Sequence, residues 1–205
     1  DILVNTKVFF VENVRSARRF ISGCKFGVKI EDLKFEILDK NTNTTQVEQL
    51  FKKYKGQTVG VMSESGCPGI ADPGSVAVLY AHRKNVKVIP IIGPSSIMLS
   101  LMGSGFNGQK FAFHGYLPID EVQKKKELKK LEVESLKNNQ TQIFIETPYR
   151  NQKFITSMCN VLSGDTQLCI GADLSGPNEF IKTAPISLWK KNVPSIQKTP
   201  AIFLI

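Results

Sequence analysis

The 205 residues include 27 lysines and arginines against 18 aspartates and glutamates, a formal charge of +9, which favours an anionic partner: nucleic acid, an anionic membrane surface or an acidic metabolite. A hydrophobic content of 41% can fill either one large core or two lobes of about 100 residues each. Cys24, Cys67, Cys159 and Cys169 show no C-x-x-C spacing and are joined by only two histidines, His82 and His114, so neither a metal site nor a disulfide framework is expected. No apolar run approaches the roughly 20 residues that span a bilayer, and the N-terminus has no signal-peptide pattern. A reduced, cytoplasmic chain without a membrane partner is expected.

In chain order, residues 8–11 (VFFV) are suited to a buried strand and 14–21 to a helix carrying Arg15, Arg18 and Arg19 at helical spacing. That spacing is compatible with a solvated basic face or an anion-binding one. Residues 34–38 form a short strand. The polar run 39–45 (DKNTNTT) supplies capping residues for a helix over 46–54. Residues 58–62 (TVGVM) fit a central parallel strand and run into a glycine- and proline-rich loop. A helix over 75–84, a strand over 86–92 (VKVIPII) and a helix over 97–102 follow. This alternation is that of a doubly wound sheet.

The pattern changes after the glycine-rich stretch 103–108. Strands are expected at 110–114, 142–145, 167–172, 181–188 and 200–205, with helices over 120–137 and 151–162. The expected lobes are 1–107 and 108–205.

Three loops follow strands, where open α/β sheets bind ligands because backbone N–H groups point into a crevice there. They are 63–74 (SESGCPGIADPG), 92–96 (IGPSS), which heads a helix, and 146–150 (ETPYR). With FAFHGYLP at 111–118 and GSG at 103–105, they stand in the order seen in the tetrapyrrole methylases. The chain resembles that superfamily, and most of all its small-subunit ribosomal RNA cytidine 2'-O-ribose methyltransferase branch, whose members carry SDAGTP-x-ISDPG, PGPSA, small-x-SG, F-x-F-x-GFLP and YESPHR in this order.

The resemblance implies a fold of two α/β lobes with S-adenosylmethionine in the cleft between them, a homodimer, and RNA as acceptor. Carried over by position, it implies cofactor contacts at Ser65, Gly66, Cys67, Ile70, Ser95, Ser96, Ile145, Glu146, Ala172, Pro200 and Ala201. A nearby carboxylate or lysine can assist loss of the proton from a ribose hydroxyl, with Glu12, Glu146, Asp173 and Glu179 as candidates. Arg15 and Arg150 match family arginines able to hold phosphate, and Lys124, Lys125, Lys126, Lys129 and Lys130 form a further basic stretch.

The chain also departs from the pattern. The family's first strand and its TPIGNL-like loop have no counterpart in these residues, and Glu64, Cys67 and Asn13 replace an aspartate, a threonine and an aspartate. In the segment resembling ARELTK-x-x-E, Ala172 and Gly176 stand where the family has arginine and lysine. His114 replaces a glutamate. These changes describe a diverged paralogue. Two further readings therefore stand beside the RNA methyltransferase: a methylase of a tetrapyrrole or other small anionic metabolite, and a cofactor- or RNA-binding paralogue with little turnover.

Overall fold

The run VFFV becomes strand β1 (Val8–Val11), buried along its whole length because its side chains alternate between two apolar clusters. Val8 and Phe10 pack with Val47, Tyr54, Ala77 and Tyr80, whereas Phe9 and Val11 pack with Ala17, Ile21 and Leu33. A computed structural model describes residues 2–205, and β1 is the middle strand of the first of its two compact units, Asp1–Gly93 and Pro94–Ile205.

In the first unit a short helix α1 (Ile2–Asn5) precedes β1, and α2 (Val14–Gly23), β2 (Lys34–Ile37), α3 (Thr44–Lys53), β3 (Val59–Met62) and α4 (Gly74–Arg83) follow, with a 3-10 turn at Ile30–Asp32. The sheet is parallel, in the order β2-β1-β3. Asn13 caps α2 by accepting from Arg15 N at 2.9 Å and Ser16 N at 3.2 Å. Asn43 and Gln46 form a reciprocal capping box, which starts α3 two residues ahead of the expected 46.

The strand expected at 86–92 does not form. Those residues join no sheet ladder, and Ile89 and Ile91 are 63% and 62% exposed. A strand exists only with a ladder partner. Among the described residues none lies on the outer side of the edge strand β3.

The second unit contains α5 (Ser96–Ser104), β4 (Phe111–Tyr116), α6 (Glu121–Asn138), β5 (Thr141–Glu146), α7 (Asn151–Val161), β6 (Gln167–Ala172), β7 (Phe180–Pro185), α8 (Ile186–Trp189) and β8 (Ala201–Leu204). Its sheet has the order β4-β5-β8-β6-β7, with β4 and β5 parallel and the other pairs antiparallel. One face carries Phe144, Phe203, Leu168 and Ile170 against Leu128 and Leu131 of α6 and Phe154, Ile155 and Met158 of α7. The other carries Ile143, Cys169, Ile202 and Leu204 against Ile97 and Leu101 of α5. Because α5 buries its apolar stripe on this sheet, the second unit begins at Pro94, ahead of the 107/108 division expected from composition. The segment expected as a strand over 181–188 divides into β7 and α8. Among the described residues no helix is long and apolar enough to cross a membrane.

Candidate functional site

The register of the second sheet sets Glu146 opposite Ala201 and Ala201 opposite Ala172. Three residues from segments far apart in the chain thus form one row across β5, β8 and β6. Ile145 and Pro200 flank it, and Asp173 N donates to Pro200 O at 3.0 Å. The bordering loops are tied together as well: Lys198 N donates to Pro148 O at 3.1 Å and Asn151 Nδ2 to Thr199 O at 2.6 Å.

Helix α5 points its N-terminus toward this row. Thr183 Oγ1 donates to Ser104 O at 2.7 Å, and Thr183 lies opposite Cys169. Nearer the row, a Cβ built at Gly171 would stand 3.5 Å from Ser100 Cβ, so the helix closes on the strand ends one turn beyond, at Ser96. Ser95 is its N-cap residue and makes no side-chain capping bond. The first N–H groups of such a helix have no partner within it and favour an anionic ligand.

The candidate carboxylates of this unit all hold backbone. Glu146 Oε1 accepts from Thr147 N at 2.6 Å, Arg150 Nε at 2.9 Å and Arg150 Nη2 at 2.6 Å, so the guanidinium expected to hold phosphate is engaged by a buried carboxylate. Asp173 Oδ2 accepts from Asn178 N at 2.9 Å, and Glu179 Oε2 accepts from Ser175 N at 2.7 Å. The same loop accounts for Gly176, where a Cβ would meet Asp173 Oδ1 at 2.2 Å. No lysine fits there while Asp173 keeps this position.

In the first unit, β1 and β3 end side by side, with Val11 opposite Met62. Glu12 and loop 63–74 therefore adjoin: Glu12 Oε1 accepts from Glu64 N at 3.0 Å. Ser63 Oγ donates to Ser65 O at 2.7 Å, and Gly66 takes φ +73° with open space around the position of a Cβ. Ser65, Gly66 and Ile70 are exposed, and Cys67 Sγ lies 4.0 Å from Gly93 O. The loop's organiser is Asp72, which the sequence reading passed over, although a D-P-G tripeptide signals such a turn. Its Oδ1 accepts from Gly69 N at 2.7 Å and Gly74 N at 2.6 Å.

Burial raises the pKa of Glu12; the Glu64 N–H pulls against this, while the neighbouring Asp72 and Glu64 carboxylates add to it. Among the described residues the buried Asp72 Oδ2 has no hydrogen-bond partner. Arg15 is exposed on the first turn of α2, just beyond this edge.

Comparison with known proteins finds no matching family model. The chain is 27% identical over 187 residues to ribosomal RNA small subunit methyltransferase I of Vibrio cholerae, a match covering 91% of this chain and 62% of the relative. It is 27% identical over 207 residues to the protein of the same name in Borrelia garinii, covering all of this chain and 88% of the relative. It therefore spans less than two thirds of the Vibrio relative. Among solved structures, uroporphyrin-III C-methyltransferase of Thermus thermophilus, in complex with S-adenosyl homocysteine, shares the fold with a TM-score of 0.56 at 14% identity, over 98% of this chain and 86% of that one. In sequence the chain is thus similar to these ribosomal RNA methyltransferases, and in fold to the uroporphyrin-III C-methyltransferase.

Proposed function

We propose that this chain is the catalytic part of an S-adenosylmethionine-dependent methyltransferase that modifies a ribose 2'-hydroxyl of ribosomal RNA. The observation that carries the reading is the row Glu146, Ala201 and Ala172 at one strand edge, with the head of α5 pointing toward it. The names of the Vibrio and Borrelia relatives support the acceptor, and the S-adenosyl homocysteine held by the Thermus enzyme supports the cofactor.

The residues fit such a group. The N–H groups at Ser95, Ser96 and the next residue suit a carboxylate. The cofactor brings a methyl group already activated by its sulfonium, so the protein need not supply a nucleophile. What remains is to align the ribose oxygen, exclude water and take up the hydroxyl proton. Glu146, Asp173 and Glu179 hold the loops in place. Glu12, with its raised proton affinity, takes the proton, and Arg15 steadies an adjacent phosphate.

Calorimetric titration with S-adenosylmethionine and S-adenosylhomocysteine tests this reading. Saturable binding of both is expected, and Gly66→Val, which forces a β-branched residue into a left-handed conformation, abolishes it with the fold intact. An intact, folded protein that binds neither compound overturns the proposal. Binding without transfer to RNA would move the acceptor to a small anionic metabolite.

A further inference from the structure

Helix α2 carries a surface that neither the core nor the cofactor loops explain. Its ten residues, VRSARRFISG, contain three arginines and no acid. Ala17 and Ile21 face the core, whereas Arg15, Arg18 and Arg19 are exposed and share one face through their i, i+3, i+4 spacing. Among the described residues none of the three enters an ion pair. Beside them Phe20 is 58% exposed, and Phe26, just beyond the helix, is 61% exposed. Phe20 and Arg19 line an open concavity with Ser16, Gly23, Cys24 and Glu64, and Lys25 and Lys29 extend the positive charge.

Guanidinium groups beside exposed aromatic rings suit one ligand chemistry above others. Phosphates pair with the arginines, and bases that are free of a duplex stack on the rings. A duplex hides the faces of its bases, and a folded protein partner lacks the repeating phosphates. The carboxylate of Glu64 at the rim of the concavity repels phosphate. It thus directs the backbone along Arg15 and Arg18 and a base toward Phe20.

We infer that α2 and the segment 24–29 form a docking surface for single-stranded RNA, in which Phe20 and Phe26 stack on unpaired bases and Arg15, Arg18 and Arg19 hold the adjoining phosphates. The inference rests on the RNA reading above and gives it a location: the surface begins at Arg15, three residues beyond Glu12.

The test is fluorescence-anisotropy binding of the full-length protein to a labelled mixed-sequence single-stranded RNA and to the same sequence as a duplex, across a salt series. The single strand is expected to bind more tightly. Phe20→Ala weakens it by roughly tenfold or more with an unchanged salt slope, and Phe20→Trp restores it. Arg18→Ala and Arg19→Ala each reduce the slope of log affinity against log salt by about 0.7. Equal binding of duplex and single strand, or a Phe20→Ala protein within twofold of the parent, overturns the inference. Calorimetry on the same variants separates the two proposals, because cofactor affinity is unchanged by Phe20→Ala. Loss of stacking in a protein that binds no cofactor would sink the enzymatic reading alone, whereas methyl transfer unaffected by Phe20→Ala would sink the docking surface alone.

Discussion

Two helices of this chain read as basic in the sequence, and the structure separates them. Helix α6 carries six lysines, but also four glutamates, in its 18 residues. Lys129 pairs with Glu132 at 2.8 Å, Lys130 with Glu127 at 3.0 Å and Lys124 with Glu121 at 3.2 Å, and Lys124 is itself buried. Lys129 and Lys130 are exposed but paired, and of the stretch 124–130 only Lys125 and Lys126 are both exposed and outside the ion pairs of the described residues. Helix α2, shorter and with fewer cations, leaves all its arginines outside the ion pairs of the described residues and sets an exposed ring beside them. A count of charges does not locate an anion-binding face; the local balance of acids and the pairing geometry do.

The largest expected effect that sharpens this contrast lies in α6. Glu132 is 5% exposed; it accepts from Ser163 N at 2.6 Å and from the hydroxyl of Thr166, and pairs with Lys129. Glu132→Ala strands these donors and should cost about 3 kcal/mol. The cost is measurable by urea denaturation followed through the fluorescence of Trp189, the chain's single tryptophan, which is buried in the second unit. RNA affinity should stay within twofold. Arg18→Ala should do the reverse, shifting stability by no more than about 0.5 kcal/mol while weakening RNA. A Glu132 variant that lost RNA binding while still folded would break the contrast.

A smaller effect separates the same regions by pH. Burial alone would raise the pKa of Glu132, but Lys129, Thr166 and Ser163 N bring it below the ordinary 4.5. The ionised form is therefore favoured by folding. Its contribution is present above pH 4.5 and is lost as the pH falls through the depressed value. Glu12, next to α2, has its pKa raised, so its contribution is present below the ordinary value and lost as the pH rises through the raised one. Glu132→Gln should flatten the acid limb of the Trp189 transition. Glu12→Gln should leave that limb alone.

Much of the fold was legible because its signals are local. The apolar run within residues 167–172 and the DKNTNTT cap before α3 are written in contiguous residues, and they became β6 and the Asn43 capping box. The run VKVIPII has the composition of a strand but not its structure, since pairing depends on what lies beside β3. The candidate row across β5, β8 and β6 was named residue by residue only through family resemblance. Its adjacency is a matter of register between segments up to 55 positions apart, which no local pattern encodes. The engagement of Arg150 by Glu146 was within reach, because the i, i+4 spacing is visible in ETPYR. The steric conflict between Gly176 and Asp173 was not.

The central claim is methyl transfer to a ribose oxygen. It is tested most directly by incubating the purified protein with radiolabelled S-adenosylmethionine and unmodified small-subunit ribosomal RNA, then digesting the RNA with alkali. A methylated 2'-oxygen cannot attack the neighbouring phosphate, so the account predicts label in alkali-resistant dinucleotides. Label recovered only in mononucleotides, or no incorporation by a protein that binds the cofactor, would contradict it.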